Sequence, residues 1–169
     1  MNDTSIFERL GDLLSASGAK FRLMEHVAEG KSDHIAAIRG TSRGQGAKAM
    51  LCAFKDSEDE FVLAVIPGDR KVDFRKIAAA AGRKKATLAP AELAVRITGC
   101  VVGAIPPFSF SEHVRLIVDP ALIQNNREIA FNAGRLDRSI VMDAADYVRV
   151  SHCRLVDITR SDLASEETA

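Results

Sequence analysis

The stretch that decides the fold is Gly44-Gln45-Gly46-Ala47-Lys48-Ala49-Met50-Leu51-Cys52-Ala53-Phe54. After two glycines the chain becomes small and apolar, which predicts a β-strand from Ala47 to Phe54. Because side chains alternate between the faces of a strand, Lys48 shares one face with Met50, Cys52 and Phe54. The opposite face is apolar as well. The sequence therefore predicts a strand that is buried on both sides.

Lys48 is the exception within that strand. An unpaired ammonium group is costly to bury, so we expect Lys48 to face a cavity among its small neighbours. The alternative is that the lysine lies at the strand end and extends its amine into solvent. The two interpretations differ in whether this side chain belongs to a site.

Helices and strands are interspersed on both sides of this strand. Helices are predicted over 4–17 with Thr4 as the N-cap, from Ser32 or Asp33 to about Gly40, over 73–82 and over 90–99. Strands are predicted over 21–24, 61–66, 100–102, 115–118, 128–131 and 139–142, with a turn over 56–59 and either strand or helix over 144–150. Since most connections look short, we expect one α+β domain with a mixed, mostly antiparallel sheet over residues 1–158. The polar, acidic tail over 159–169 is expected to fray.

Length and charge exclude several classes of protein. A chain of 169 residues corresponds to about one domain and can bury a core without disulfides or metals. Its 23 Lys and Arg balance its 23 Asp and Glu, which argues against a protein that coats DNA through excess positive charge. Aromatic residues are 5% of the chain, with no Trp and one Tyr, so base stacking along a single strand is not expected.

The three cysteines, Cys52, Cys100 and Cys153, are too widely spaced for a disulfide framework or a paired-cysteine metal site. We expect buried free thiols and a cytoplasmic location. The chain shows no signal-peptide pattern and no apolar run long enough to cross a membrane. The four histidines have no zinc-site spacing, so neither a metal nor a cofactor is expected.

A stiff loop is predicted over Gly103-Ala104-Ile105-Pro106-Pro107-Phe108. Proline fixes φ and glycine lets backbone N–H groups approach a ligand closely, so the loop can present fixed donors to a developing oxyanion. The alternative is an ordinary rigid turn.

Two further segments carry polar residues that suit either a site or a surface. Asn132 and Gly134 predict a turn with positive φ between two strands, and Asp137 either faces a pocket or pairs with Arg135 or Arg138. A basic cluster follows the central strands and either holds phosphates or forms the solvated face of a helix. Its members are Arg70, Lys71, Arg75, Lys76, Arg83, Lys84 and Lys85.

Taken together, three segments resemble the YbaK and prolyl-tRNA-synthetase-associated domain family of free-standing aminoacyl-tRNA deacylases. They are Gly44-Gln45-Gly46-Ala47-Lys48-Ala49, Gly103-Ala104-Ile105-Pro106-Pro107-Phe108 and Phe131-Asn132-Ala133-Gly134, in matching order and separation. The resemblance covers residues 4–158. The stretches Ile38-Arg39-Gly40-Thr41 and Gly103 to Phe110 are similar to the subgroup of YeaK and ProXp-ST proteins. That similarity implies hydrolysis of tRNA mischarged with serine or threonine, with alanine next.

The resemblance implies a barrel-like α+β fold with a pocket between the lysine strand and the proline loop. Carried over, the catalytic residues are Lys48, Gly103 and Ala104. The substrate-binding residues are Met50, Ile105, Pro106, Pro107, Asn132, Gly134 and Asp137. Some relatives use a histidine late in the pocket, where this chain has Leu136 and Asp137.

The implied partner is the acceptor end of aminoacylated tRNA, with a transient synthetase contact and with neither DNA nor a membrane. Within the basic cluster, Lys71, Arg75, Lys84 and Lys85 are expected to bind the tRNA. No serine–histidine or cysteine–histidine arrangement is readable from the order of residues, so the nucleophile is expected to be water. Two competing functions stay open: a non-catalytic module that binds tRNA or a synthetase, and a small-molecule esterase.

Overall fold

The strand predicted from Ala47 to Phe54 is confirmed, and it lies inside the larger of two sheets. The computed structural model describes residues 5–160. Its helices are α1 Ile6–Ser17, α2 Ser32–Arg39, α3 Phe74–Ala81, α4 Ala91–Thr98, α5 Pro120–Gln124 and α6 Ala144–Ser151. Its strands are β1 Phe21–Glu25, β2 Ala47–Phe54, β3 Ser57–Pro67, β4 Ala86–Leu88, β5 Val114–Val118, β6 Glu128–Arg135, β7 Arg138–Asp143 and β8 Arg154–Leu155.

The larger sheet has the strand order β4-β2-β3-β5-β8. Strand β2 runs antiparallel to β3 and β4, whereas β3 with β5 and β5 with β8 are parallel pairs. A separate hydrophobic cluster packs on each face: Leu51 belongs to one, and Cys52 and Phe54 belong to the other. The alternation predicted for β2 therefore places its two faces in two cores.

The smaller sheet is antiparallel, with the order β1-β7-β6. An isolated parallel bridge between Gly46 and Ala130 joins it to the start of β2. The expected mixed, mostly antiparallel α+β fold is confirmed. Among residues 5–160, however, the strands form two sheets and not one closed barrel.

Several local boundaries differ from the predictions. Helix α1 is capped by Ser5 in a capping box with Glu8, and not by Thr4, while Lys31 precedes α2 without a side-chain cap. The turn between β2 and β3 is Lys55–Asp56, because Ser57 already pairs with Phe54.

Two predictions near the site were wrong. Residues 100–102 form part of a loop and not a strand, with Val101 and Val102 exposed. The turn expected at Asn132 and Gly134 lies at 136–137 instead, because β6 continues through Asn132 with a register shift. Gly134 has a positive φ of 87°, whereas Asn132 does not have a positive φ. The ambiguous segment 144–150 is helical.

Residues 161–169, which hold most of the predicted tail, lie outside the described residues. Just past the predicted domain end at 158, the Arg160 N–H bonds to Lys71 O. Between residues 5 and 160, no helix is long and apolar enough to span a bilayer.

Candidate active site

A small cleft opens where the start of β2, the start of α2 and the loop over 101–113 meet. Its volume is about 50 Å³. It is lined by Gly30, Ser32, Ile35, Arg39, Gly46, Ala47, Lys48, Ala49, Gly103, Ile105 and Asn132. The cleft therefore joins residues from three of the segments singled out in the sequence.

Lys48 lies at the mouth of this cleft and is exposed to solvent. Its backbone pairs with Ile66 in β3, so the side chain projects from the first residues of an interior strand. No carboxylate lies within ion-pair distance of its amine in residues 5–160. Both interpretations of Lys48 therefore apply: the lysine lines a cavity, and it is exposed to solvent with no ion-pair partner among the described residues.

The proline loop is fixed by hydrogen bonds to its carbonyl groups. Gly103 O accepts from Asn132 Nδ2 at 2.8 Å, and Ala104 O accepts from the Gly134 N–H at 2.9 Å. Pro107 O accepts from the hydroxyl of the fully buried Tyr147 at 2.7 Å. Three carbonyls are thus turned into the protein.

The N–H groups of this loop are used differently. The Ala104 N–H donates to Val101 O at 3.0 Å, and Ala104 is fully buried. Ala104 therefore has no free donor for an oxyanion, contrary to the prediction. The N–H groups of Gly103 and Ile105 have no acceptor within residues 5–160. Both residues line the cleft, and Ile105 also lines the groove on the other side of the loop.

Gly103 holds this geometry through a close backbone contact. Its φ is 94°, in the region that side chains disfavour. A Cβ at Gly103 would lie 3.1 Å from the Cα of Gly30, so the two glycines pack backbone against backbone. Gly30, which precedes α2, was not identified from the sequence.

The inner end of the cleft is polar and buried. Arg39, Asn132 and Ser139 are 8%, 6% and 0% exposed. The Arg39 guanidinium donates to Ser139 Oγ at 2.8 Å and to Asn132 Oδ1 at 3.1 Å. Burial lowers the pKa of Arg39 to about 10, so the group stays cationic at neutral pH.

The other predicted substrate contacts lie elsewhere. Pro106 lines a larger groove on the other side of the loop, and Pro107 is buried against Tyr147. Met50 packs in the core cluster on its face of β2. Gly134 anchors the loop and packs against the first turn of α1. Ile105 and Asn132 are the two predicted substrate contacts that line the cleft.

Asp137 forms a surface ion pair instead of a pocket contact. It accepts from Arg135 Nε at 2.9 Å and lies 3.1 Å from Arg138 Nη1. The hydrogen bond from Arg135 is the largest influence, and it lowers the pKa of Asp137. Asp137 occupies the turn between β6 and β7 and is not among the residues that line the cleft.

The basic cluster divides into paired and unpaired cations. Lys76 pairs with Asp157 at 3.0 Å, and Arg83 pairs with Asp56 and Glu60. The four residues predicted to bind tRNA are exposed and have no ion pair among the described residues. They are Lys71, Arg75, Lys84 and Lys85.

The cysteines are free thiols, as predicted, with Cys52 and Cys100 buried and Cys153 half-buried. Burial raises the pKa of the Cys52 thiol to about 12 and that of Cys100 to about 11. None of the three lines the cleft.

Sequence reasoning missed five residues of the site and its supports, namely His26, Gly30, Arg39, Ser139 and Tyr147. His26 Nε2 lies 2.7 Å from Ser139 Oγ, so a serine–histidine contact exists although residue order gave no sign of it. Tyr147 offered one signal, because a lone tyrosine in a chain poor in aromatics often has a specific partner.

Comparisons with known proteins give the family of this chain. The chain matches the aminoacyl-tRNA editing domain over residues 26–150. It is 46% identical over 156 residues to a protein of Escherichia coli strain K12 named Multifunctional Ser/Thr-tRNA deacylase ProXp-y. The match covers 91% of this chain and 93% of the relative, and a protein of Escherichia coli O157:H7 with the same name matches equally.

Solved structures share the fold at low identity. A hypothetical protein of known crystal structure superposes with a TM-score of 0.82 at 23% identity, covering 90% of this chain and 100% of that one. A candidate trans-editing enzyme for prolyl-tRNA synthetase superposes with a TM-score of 0.79 at 17% identity, covering 95% and 100%. With the match over residues 26–150, these observations show that the chain belongs to the aminoacyl-tRNA editing domain family.

Proposed function

We propose that this protein is a trans-editing deacylase that hydrolyses the ester of tRNA mischarged with a small amino acid, with serine and threonine as the first candidates and alanine as the next. The name and the 46% identity of the Escherichia coli relative support the substrate class. The observation that carries the proposal is that Lys48, Gly103 and Ile105 line one cleft. Within residues 5–160 the amine of Lys48 has no ion pair and the N–H groups of Gly103 and Ile105 have no acceptor.

These groups suit the transition state of ester hydrolysis. Attack on the ester carbonyl puts negative charge on its oxygen, and fixed N–H donors stabilise that charge without reorganising. Gly103 and Ile105 supply such donors, because the loop carbonyls are held by Asn132, Gly134 and Tyr147. In this proposal Ile105 replaces Ala104 as the second donor.

Lys48 supplies a mobile cation at the mouth of the cleft. An ammonium group has three rotatable donors, so it can hold the ester carbonyl or the terminal phosphate of the tRNA. Its solvent exposure suits an incoming anionic chain end.

The attacking water is activated by the substrate itself in this mechanism. No aspartate, glutamate or histidine is among the cleft-lining residues within 5–160. The free hydroxyl of the terminal ribose is within reach of the neighbouring ester and can position the water. Aminoacyl esters are already reactive, so positioning and charge stabilisation carry most of the barrier reduction.

Selectivity follows from the size of the cleft. At about 50 Å³ it suits a small acyl side chain. One methylene is worth about 1–3 kcal/mol of discrimination in an apolar pocket, so a small hydrolytic site complements a synthetase site that admits smaller substrates.

The unpaired cations supply a surface for the acceptor stem. Lys71 follows Gly68, whose N–H bonds to Gly46 O at the cleft end of β2. Lys84 and Lys85 lie beside Lys55 at the other end of that strand. Lys48 and Lys55 are seven residue steps apart along the chain, roughly 20–25 Å in strand conformation. A tRNA whose end lies in the cleft would therefore contact one cation near the cleft and two more near the far end of β2. A transient contact with a synthetase could bring the charged tRNA to the cleft.

The test is single-turnover deacylation of Ser-, Thr- and Ala-charged tRNAs, cognate and mismatched, by the parent protein and by Lys48→Ala. We expect hydrolysis of the Ser and Thr esters and a large rate loss in Lys48→Ala, with tRNA binding measured in parallel by filter retention. Amino-acid methyl esters serve as the tRNA-free control.

The other outcomes assign the competing functions. Binding of tRNA with no hydrolysis across the panel would contradict the enzyme and leave a binding module. Equal turnover of methyl esters and of charged tRNA would indicate a small-molecule esterase.

A further inference from the structure

Three buried polar residues at the inner end of the cleft form a connected network with one unusual member. Arg39 carries a full charge, is 8% exposed, and has no carboxylate partner within residues 5–160. A buried ion without a counter-charge destabilises a fold by several kcal/mol unless other groups solvate it. Here the acceptors are neutral, Ser139 Oγ and Asn132 Oδ1.

Asn132 uses its whole amide within the protein. Its Oδ1 accepts from Arg39 Nη2, and its Nδ2 donates to Gly103 O at 2.8 Å and to Glu29 O at 2.9 Å. Glu29 immediately precedes Gly30, the residue that packs against Gly103. The amide of Asn132 therefore ties together the two backbone segments that meet at the cleft.

Only one orientation of that amide fits. If it were flipped, Nδ2 would face the N–H donors of Arg39, and Oδ1 would face two carbonyl oxygens. Three favourable contacts would become unfavourable. The Arg39 guanidinium fixes this orientation, because it gives the Asn132 Oδ1 a strong charged donor on the side away from the loop.

The remaining atoms of the network hold Arg39 in place. Ser139 Oγ accepts from Arg39 Nε, and it lies 3.0 Å from Asn132 Oδ1 and 2.7 Å from His26 Nε2. His26 Nδ1 lies 2.7 Å from Val27 O, which can only accept, so Nδ1 carries a proton. Ser139 Oγ donates its proton to Asn132 Oδ1 and keeps its lone pairs to accept from Arg39 Nε.

We propose that Arg39 is a positioning residue for deacylation: it fixes the amide of Asn132, which in turn clamps Gly103 to Glu29 and holds the loop donors in place. This inference rests on the proposed function. It reassigns Asn132, which the sequence placed among substrate contacts, to a clamp that needs no substrate atom.

The first experiment combines kinetics with side-chain NMR on Arg39→Ala, with Arg22→Ala, an exposed arginine on β1, as the matched control. We expect kcat for Ser-tRNA hydrolysis to fall about 10- to 100-fold with KM little changed, since a small misplacement of reacting groups costs that much. The Asn132 NH₂ protons, protected by two carbonyls in the parent, should exchange faster. Millimolar guanidinium should restore both readouts, and methylammonium should not.

A second variant keeps Arg39 and the fold but changes the group that Arg39 orients. Asn132→Asp gives Arg39 a carboxylate partner, so stability should hold or rise, while the oxygens now facing Gly103 and Glu29 should lower kcat by a similar factor. A purely structural role for Arg39 predicts the reverse, because the ion pair would preserve the site.

Three results overturn the inference: parent-like kcat in either variant, unchanged exchange of the Asn132 NH₂ protons in Arg39→Ala, or a rise in KM alone, which would make Arg39 a substrate contact. If the parent hydrolyses no charged tRNA, the proposed function fails, while proton exchange and guanidinium rescue still decide whether Arg39 orients Asn132.

Discussion

Two concavities flank the loop from Gly103 to Phe108, and they differ in kind. The groove on one side is about 240 Å³ and is lined by apolar residues, three hydroxyl-bearing residues and the exposed Arg9 and Arg96. The cleft on the other side is about 50 Å³, yet it is lined by a buried guanidinium and by two residues whose N–H groups have no acceptor within residues 5–160. Volume alone would choose the groove.

The difference shows what marks a reactive site in this fold. In the groove, the Arg9 guanidinium stacks 4.7 Å from the Phe110 ring centroid, an arrangement stable without a ligand. In the cleft, the N–H groups of Gly103 and Ile105 have no hydrogen-bond acceptor within residues 5–160. Burying such donors lowers the stability of the fold unless a ligand accepts their hydrogen bonds. The predictions below separate the two sides, beginning with the largest effect.

Gly103→Ala should damage the cleft most. It adds left-handed strain and places a Cβ 3.1 Å from the Gly30 Cα, so we expect a loss of roughly 2–4 kcal/mol in the free energy of unfolding. Displacing the loop donors should lower deacylation by about 100-fold. Denaturant unfolding and single-turnover kinetics measure the two effects.

Gly82→Ala is the matched control for that variant. Its φ is 68°, but nothing lies within 4 Å of an added Cβ. It should cost only the strain, roughly 1–2 kcal/mol, and keep the parent rate. Equal losses in the two variants would mean that the contact with Gly30 has no role.

Tyr147→Phe attacks the loop from the aromatic side. The ring keeps its edge contact with Phe108, while the buried Pro107 carbonyl loses its donor, which costs about 1–3 kcal/mol. We expect a roughly 3- to 10-fold lower kcat, because the loop is loosened at its far end only. Thermal unfolding should shift with it, whereas Arg149→Ala on the exposed face of α6 should leave both unchanged. A parent-like kcat in Tyr147→Phe would remove this anchor from the mechanism.

The double variant Lys84→Gln, Lys85→Gln tests the surface distant from both concavities. Loss of two phosphate contacts should raise KM for tRNA about 3- to 10-fold and reduce the salt slope of log affinity by roughly 1–2. The single-turnover rate at saturating tRNA should not change. Binding titrations at several salt concentrations measure this, with Lys20→Gln as the control. An unchanged salt slope would show that the acceptor stem lies elsewhere.

Arg96→Ala should have the smallest effect. Arg96 lies at the groove rim, is exposed and has no ion pair among the described residues, so activity and stability should stay within about twofold and about 0.5 kcal/mol of the parent. The panel used for Lys48→Ala measures it. A tenfold loss would move the substrate to the groove and reverse the comparison.

Local sequence patterns predicted helices and strands well where the hydrophobic residues follow a single helical or strand periodicity. The alternation of small and apolar residues gave β2, and the glycines at 18, 82 and 99 marked helix ends that the structure keeps. Prediction failed where tertiary pairing decides. Asn132 looked like a turn residue, but its side chain is saturated by Arg39, Gly103 and Glu29, so the backbone stays in β6.

The sequence by itself determined the family, the central strand, its lysine and the stiffness of the proline loop, because these depend on residue types close together in the chain. Only the tertiary structure decided which loop N–H groups are free and which residues clamp the loop. Arg39 and Asn132 are 93 residues apart. A hydrogen bond across that separation exists only once the fold brings Arg39, at the end of α2, beside Asn132 in β6, and no local pattern encodes it.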